Sequence, residues 1–215
     1  MKTVAVRTGG VASQCHKPAG WLGRVILWNM NSRHSKVTDW GLGHVSIADK
    51  STILDVGCGG GRTLSKLAAM APQGKVYGID HSEESVATSK RANERLVREG
   101  RVEVLHGSVS QLPFQQGTFD LVTAVETHFW WPNLPTDMRE VFRVVKSGGR
   151  LIIIAEIYKG AETRVAILAE KCAQLGMTIL DIDEHRELFA QAGFSDVEIV
   201  TEPNKGWICG IGRKP

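Results

Sequence analysis

The run ILDVGCGGGRT at residues 53–63 constrains the fold more than any other part of the chain. It reads as a buried strand, a glycine-rich turn and a helix start in direct succession. Gly57, Gly59 and Gly61 let the backbone turn sharply and approach a ligand without Cβ interference. The free amide groups that open the following helix then suit an anionic group. By itself such a turn serves nucleotide-binding folds of several chemistries.

The rest of the chain supplies the context. From Thr52 onward, short β-branched runs alternate with helical patterns, the signature of a parallel sheet flanked by helices. The expected strands are TILDV (52–56), KVYGI (75–79), VEVLH (102–106), FDLVTAV (119–125), RLIIIAEI (150–157), DVEIV (196–200) and GWICGIG (206–212). Helices are expected near 61–70, 83–98, 134–145, 161–175 and 182–192, the last stopped by Gly193. The last two strands are joined only by Glu202-Pro203-Asn204-Lys205, too short for a crossover, so they must pair antiparallel. With 215 residues, 42% of them hydrophobic, this is one compact α/β domain, the core at 51–215. Residues 1–50 form a helical extension carrying Trp21, Trp28 and Trp40, with Leu22, Val25, Ile26 and Met30 at helical spacing. Such an appendage can lie as a lid over the carboxyl ends of the strands, where α/β sheets bind ligands.

Charge narrows the partners. The formal charge is only +3, the sequence pI is near 8.7, and no Lys/Arg stripe marks a nucleic-acid partner. The strongest apolar run, LIIIA at 151–155, is far too short to span a bilayer. The first residues lack the sustained apolar stretch of a signal peptide. Cys15, Cys58, Cys172 and Cys209 are scattered, as in a reducing compartment, and a cytoplasmic location is expected. Dispersed histidines predict no metal site, and the oligomeric state is left open.

Two details sharpen the glycine turn. Asp80 ends the second strand about 20 residues on, where a carboxylate can accept both hydroxyls of a ribose. Arg62 stands where a dinucleotide fingerprint puts its third glycine, which favours a ligand with a ribose but no pyrophosphate. At this point a resemblance emerges. ILDVGCGGGRTLSKLA, VYGIDHSEESV, HGSVSQLPF, FDLVTAVE and VVKSGGRLIII, in that order across roughly residues 50–158, resemble the class I S-adenosylmethionine-dependent methyltransferases. The subgroup is the one related to the quinone-biosynthesis C-methyltransferases. The resemblance implies a Rossmann-like, seven-stranded, mostly parallel sheet that ends in an antiparallel hairpin. It implies S-adenosylmethionine as cofactor, with Asp55 and the turn Gly57-Cys58-Gly59-Gly60-Gly61 around the methionine portion. Asp80 would take the ribose, and His81 would pack near the adenine. Ser108-Val109 falls where the family often has an acidic residue before a small or apolar one, so the serine is a departure. WNMNSRHSKVTDWGL and GWICGIGRKP resemble flanking segments of the same family.

The acceptor side is less defined. The fourth strand runs into Glu126-Thr127-His128-Phe129-Trp130-Trp131. Glu126 and Thr127 are candidate cofactor contacts, and Glu126 and His128 candidate catalytic groups. Alternatively, Glu126 and Thr127 cap the next segment and His128 is a solvated loop histidine. Trp130 and Trp131 either wall an acceptor pocket and attract a sulfonium or fill core volume. Trp40 and His44 belong either to a lid or to a helix packed on the sheet. Cys58 reads as a small filler of the turn rather than a nucleophile. The expected activity is in-line methyl transfer to a small-molecule acceptor, without nucleic-acid or membrane partners. A protein methyltransferase and a noncatalytic cofactor-binding module are the alternatives.

Overall fold

The computed structural model describes residues 35–161, 169, 170, 172–174 and 176–215. Seven strands form one sheet: β1 (Thr52–Val56), β2 (Lys75–Asp80), β3 (Val102–His106), β4 (Phe119–Val125), β5 (Val145–Ala155), β6 (Ser195–Glu202) and β7 (Trp207–Arg213). Their order is β3-β2-β1-β4-β5-β7-β6. β7 pairs antiparallel with both β5 and β6, and the remaining pairs are parallel. The expected class and the closing hairpin are both present.

The described helices are α1 (Ser35–Leu42), α2 (Arg62–Met70), α3 (Glu83–Ala92), α4 (Glu94–Arg98), α5 (Leu134–Val144) and α6 (Ile182–Ala192). Their starts show local chemistry at work. Ser82, Asn133 and Asp181 cap α3, α5 and α6 by accepting a backbone amide, and Glu184 completes a capping box with Asp181. Gly193 ends α6 at φ 102°. Two expectations are corrected. The single helix expected over 83–98 breaks at Asn93, and β5 starts five residues early, at Val145. The expected helix at 161–175 falls largely outside the described residues, as do Trp21, Trp28 and Met30.

Each face of the sheet is covered. Leu54, Val122, Leu151 and Ile153 point to one side with Met138, Val141 and Phe189 of α5 and α6. Ile53, Leu121, Ile152 and Ile154 point to the other with Leu64 and Leu67 of α2. The alternation of successive residues between the two clusters is the period of a strand buried on both faces. α1 lies on the second face, where Val37, Leu42 and Val45 join that cluster. A Cβ on Gly41 would sit 2.5 Å from the Ile154 side chain, so α1 rests directly on β5. The sheet order reverses direction between β1 and β4, which opens a crevice at their carboxyl ends.

Candidate functional site

That crevice is where the glycine turn emerges. Gly57, Gly59 and Gly61 take φ values of 73°, 52° and 80°, a region that penalises any residue with a Cβ. The amides of Gly57 and Cys58 both donate to the Ile79 carbonyl, at 2.8 and 3.1 Å, which ties the turn to the end of β2. Gly61 is the N-cap of α2 and offers no side chain to its first amides. The other three helices with a side-chain cap close that end themselves; α2 leaves it open to a ligand.

Packing behind the turn explains its third glycine. A Cβ on Gly61 would lie 2.4 Å from Ser89 Oγ and 2.6 Å from Asn93 Nδ2. The Asn93 amide donates to the Gly61 carbonyl at 2.9 Å and to Ser89 O at 3.0 Å, while Ser65 Oγ donates to Asn93 Oδ1 at 2.6 Å. Asn93 therefore clamps the turn to α2 and α3. Cys58 is buried beside Gly78 and Leu64, and burial pushes its thiol well above the ordinary range. It is a filler with no nucleophilic character.

Three carboxylates stand at the ends of β1, β2 and β4. Asp80 Oδ2 accepts from Gly59 N and Oδ1 from Ser82 N, each at 2.9 Å. Asp55 is buried at the end of β1 and accepts from Thr123 Oγ1 at 2.6 Å. Burial raises its carboxyl from 3.8 to about 7; the Thr123 bond opposes the rise and the nearby Asp80 charge adds to it. Glu126 follows β4 at φ 57°, a conformation that costs a non-glycine residue about 1–3 kcal/mol. Its carboxylate accepts from Glu156 N beyond β5, and its own amide donates to Ile154 O at 2.9 Å. The strained backbone turns Thr127 across the crevice: a Cβ on Gly57 would lie 2.1 Å from Thr127 Oγ1. The ends of β1, β2 and β4 thus meet at one place.

The remaining expected residues divide. His81 is 43% exposed beside Asp80, with Nδ1 3.7 Å from Oδ1, and its carbonyl meets His106 Nε2 at 3.0 Å. Ser108 follows β3 in a bridge to Gln111, and Val109 is buried in the core. His128 is not a solvated loop histidine. It is 2% exposed in a short 3-10 turn, Nε2 to Nε2 with His185 of α6 at 3.3 Å. Phe129 and Trp131 are buried and fill core, whereas Trp130 is half-buried against Phe129. Trp40 packs against Trp207 at 5.7 Å and His44 at 5.0 Å, as a helix lying on the sheet does. His44 lines a cleft of about 460 Å³ with Gly148, Arg150 and Arg213, at the opposite, amino edge of β5. The sheet separates it from the turn. Asn93 and His185 are the residues that motif reading missed.

Comparison with known proteins follows this geometry. Residues 54–153 match a family model described as a methyltransferase domain. The matched segment is thus a methyltransferase domain, and it takes in the glycine turn, Asp80 and the end of β4. Demethylmenaquinone methyltransferases of Bacillus mycoides and Bacillus cereus are 40% and 41% identical to it over 108 residues, which are 48% of this chain and 44% of each relative. The chain therefore matches under half the length of these relatives. Among solved structures, a putative methyltransferase of Haloferax volcanii in complex with the Trm112 activator superposes with a TM-score of 0.75 at 19% identity, covering 88% of this chain and 93% of that one. Geranyl diphosphate C-methyltransferase of Streptomyces coelicolor gives 0.69 at 16% identity, covering 93% and 88%. At these identities the two structures establish the methyltransferase fold.

Proposed function

We propose that this chain is a methyltransferase that transfers the methyl group of S-adenosylmethionine to a small-molecule acceptor. The observation that supports it is the meeting of Asp55, Asp80 and three left-handed glycines at the start of α2, which has no side-chain cap. The donor set fits the cofactor. Open amides at α2 suit its carboxylate, and buried or amide-held carboxylates suit its cationic groups and ribose. When bound, S-adenosylmethionine supplies an electrophilic methyl on a sulfonium.

The chain's own residues do the rest. Asp55, poised near pH 7, ionises toward a cation. Asp80 has lone pairs beyond those used by Gly59 and Ser82, and these accept ribose hydroxyls. His81, Ser108 and Val109 lie along the next two strand ends and flank the adenine side. Glu126, Thr127 and His128 border the acceptor side. Holding both reactants in line contributes about 7–11 kcal/mol to such a displacement, so alignment is the larger part of the catalysis. The name of the curated relatives supports an aromatic, quinone-derived acceptor. Residues 51–215 are the catalytic unit in this reading, and α1 braces β5 and β7 rather than closing over the crevice. A cytoplasmic location accords with free thiols at Cys58, Cys172 and Cys209. Among the described residues no helix is long and apolar enough to cross a membrane.

The test is selective stabilisation. S-Adenosylhomocysteine at a hundredfold excess over its Kd should stabilise the native state by about 2.7 kcal/mol. For a chain of this size that is roughly 5–10 °C in Tm. NAD at the same concentration should do little. Stabilisation by NAD but not by S-adenosylhomocysteine would end the assignment.

A further inference from the structure

His128 and His185 are 57 positions apart and meet in a buried pair. Their ring nitrogens fix each other's protons. His185 Nδ1 faces the Asp181 carbonyl at 2.6 Å, and a carbonyl only accepts, so Nδ1 carries the proton. In a neutral imidazole the other nitrogen is then bare, so His185 Nε2 must accept. His128 Nε2, 3.3 Å away, must donate. That leaves His128 Nδ1 as a lone pair, buried and without a hydrogen-bond partner among the described residues. A buried acceptor left unmet costs about 1–3 kcal/mol, so His128 Nδ1 has a hydrogen bond to gain from a donor that reaches it.

The place is informative. Glu126 and Thr127 carry the chain across the crevice onto Gly57, and His128 is the next residue. We propose that His185 is a positioning residue that holds His128 with Nδ1 bare, so that Nδ1 accepts a hydrogen bond from a hydroxyl of the methyl acceptor. This rests on the methyltransferase reading and adds the acceptor group that reading leaves unspecified. Burial pushes both imidazoles below their ordinary range, His128 strongly, so the pair stays neutral at neutral pH. The Asp181 and Glu184 charges partly offset this at His185, and Lys159 in turn pairs with Glu184. His128 is therefore a weak base. Its role is to orient the hydroxyl, not to remove its proton outright.

Nitrogen-15 spectra of the full chain, with histidines labelled and S-adenosylhomocysteine present at pH 7.5, read the tautomers directly. The expected result is His128 protonated at Nε2 and bare at Nδ1. A His128 proton on Nδ1 overturns the proposal. His185→Gln keeps a carbonyl that accepts from Nε2 and should retain the tautomer, whereas His185→Leu should give a mixture. The acceptor probe is 1,4-naphthalenediol under reducing conditions. It should shift the His128 Nδ1 resonance while its dimethoxy analogue does not; no shift, or an equal one from both, overturns the hydroxyl assignment. Binding of the diol should weaken about tenfold in His185→Leu and recover in His185→Gln. Equal affinity in all three proteins removes His185 from the role. Calorimetry separates the two layers: a wild-type protein that binds no S-adenosylhomocysteine defeats the methyltransferase reading, whatever tautomer His128 shows.

Discussion

The two edges of the sheet handle charge in opposite ways. At the amino edge, charges meet partners that neutralise them or cap helix ends. Lys75 pairs with Glu103 and Lys146 with Asp120, each at 2.8 Å. Arg101 donates to the carbonyls of Ala68, Ala71 and Gly74 at the end of α2, and Lys214 does the same for Phe142, Arg143 and Val145 at the end of α5. At the carboxyl edge, Asp55 and Asp80 are held by a hydroxyl and by amides. Such an arrangement stabilises the fold poorly and leaves field for a cation to complete. One edge serves the fold and the other serves a ligand.

If that division is right, neutralising the carboxyl edge should strengthen the free protein, and Asp55→Asn is the sharpest case. The carboxyl is raised from 3.8 to about 7 by burial. Below about pH 4 the folded and unfolded chains both hold the proton, and Asp55 costs nothing. Between pH 4 and 7 the unfolded chain releases it while the folded chain keeps it, so stability falls as pH rises and levels off above 7. Asn keeps an oxygen for Thr123 without this penalty. Asp55→Asn should therefore add about 2–4 kcal/mol at pH 8 and nothing at pH 3.5, by urea denaturation. The same variant should bind S-adenosylhomocysteine at least tenfold more weakly. Lower stability at pH 8 with full affinity would place Asp55 on the structural side of the division.

The converse experiment cuts an amino-edge contact. Lys214 is buried and holds three carbonyls around the end of α5. Lys214→Met keeps the aliphatic length but leaves those carbonyls without their cation. A loss of about 1.5–3 kcal/mol is expected, with affinity for S-adenosylhomocysteine unchanged. A change in affinity instead of stability would break the comparison.

How much of this was legible in the sequence follows from how local each signal is. β1 and β4 begin and end where their β-branched runs do, because strands buried on both faces are continuous apolar segments. β3, at the sheet edge, does so because Val102 and Val104 alternate with less buried residues. The glycine turn and Asp80 were legible for the same reason: each is a backbone requirement written at one position. Asn93 was not. Within the 83–98 pattern it is one polar residue among many, and its bonds to Gly61 and Ser65 span about thirty positions. His185 left a fainter trace. It lies three, four and seven positions before Leu188, Phe189 and Ala192, the buried face of α6, so a core histidine could be read there. That its partner is His128 depends on α6 packing beside the end of β4, which no local pattern encodes. Trp131 stayed open between two readings, since an aromatic beside a ligand edge and an aromatic filling core look alike in sequence.

The smallest effect belongs to the exposed ion pairs, and it tests whether the amino edge works through pairs or through caps. Lys75 and Glu103 are 40% and 46% exposed. Water screens both charges, and ordering two long side chains offsets much of the attraction, so such pairs contribute about 0.2–1 kcal/mol. Lys75 also sits 4.6 Å from the centre of the Tyr77 ring, a contact that survives loss of the carboxylate. Glu103→Gln should therefore cost less than about 0.5 kcal/mol, and that difference should vanish at 1 M salt, where the screening length is about 3 Å. Lys214→Met should keep its larger loss at the same salt, because the contacts it removes are buried and part-buried hydrogen bonds. Equal salt sensitivity of the two variants would mean that exposed pairs and buried caps act alike, and the amino edge would then be held by long-range charge instead of by local satisfaction of helix ends.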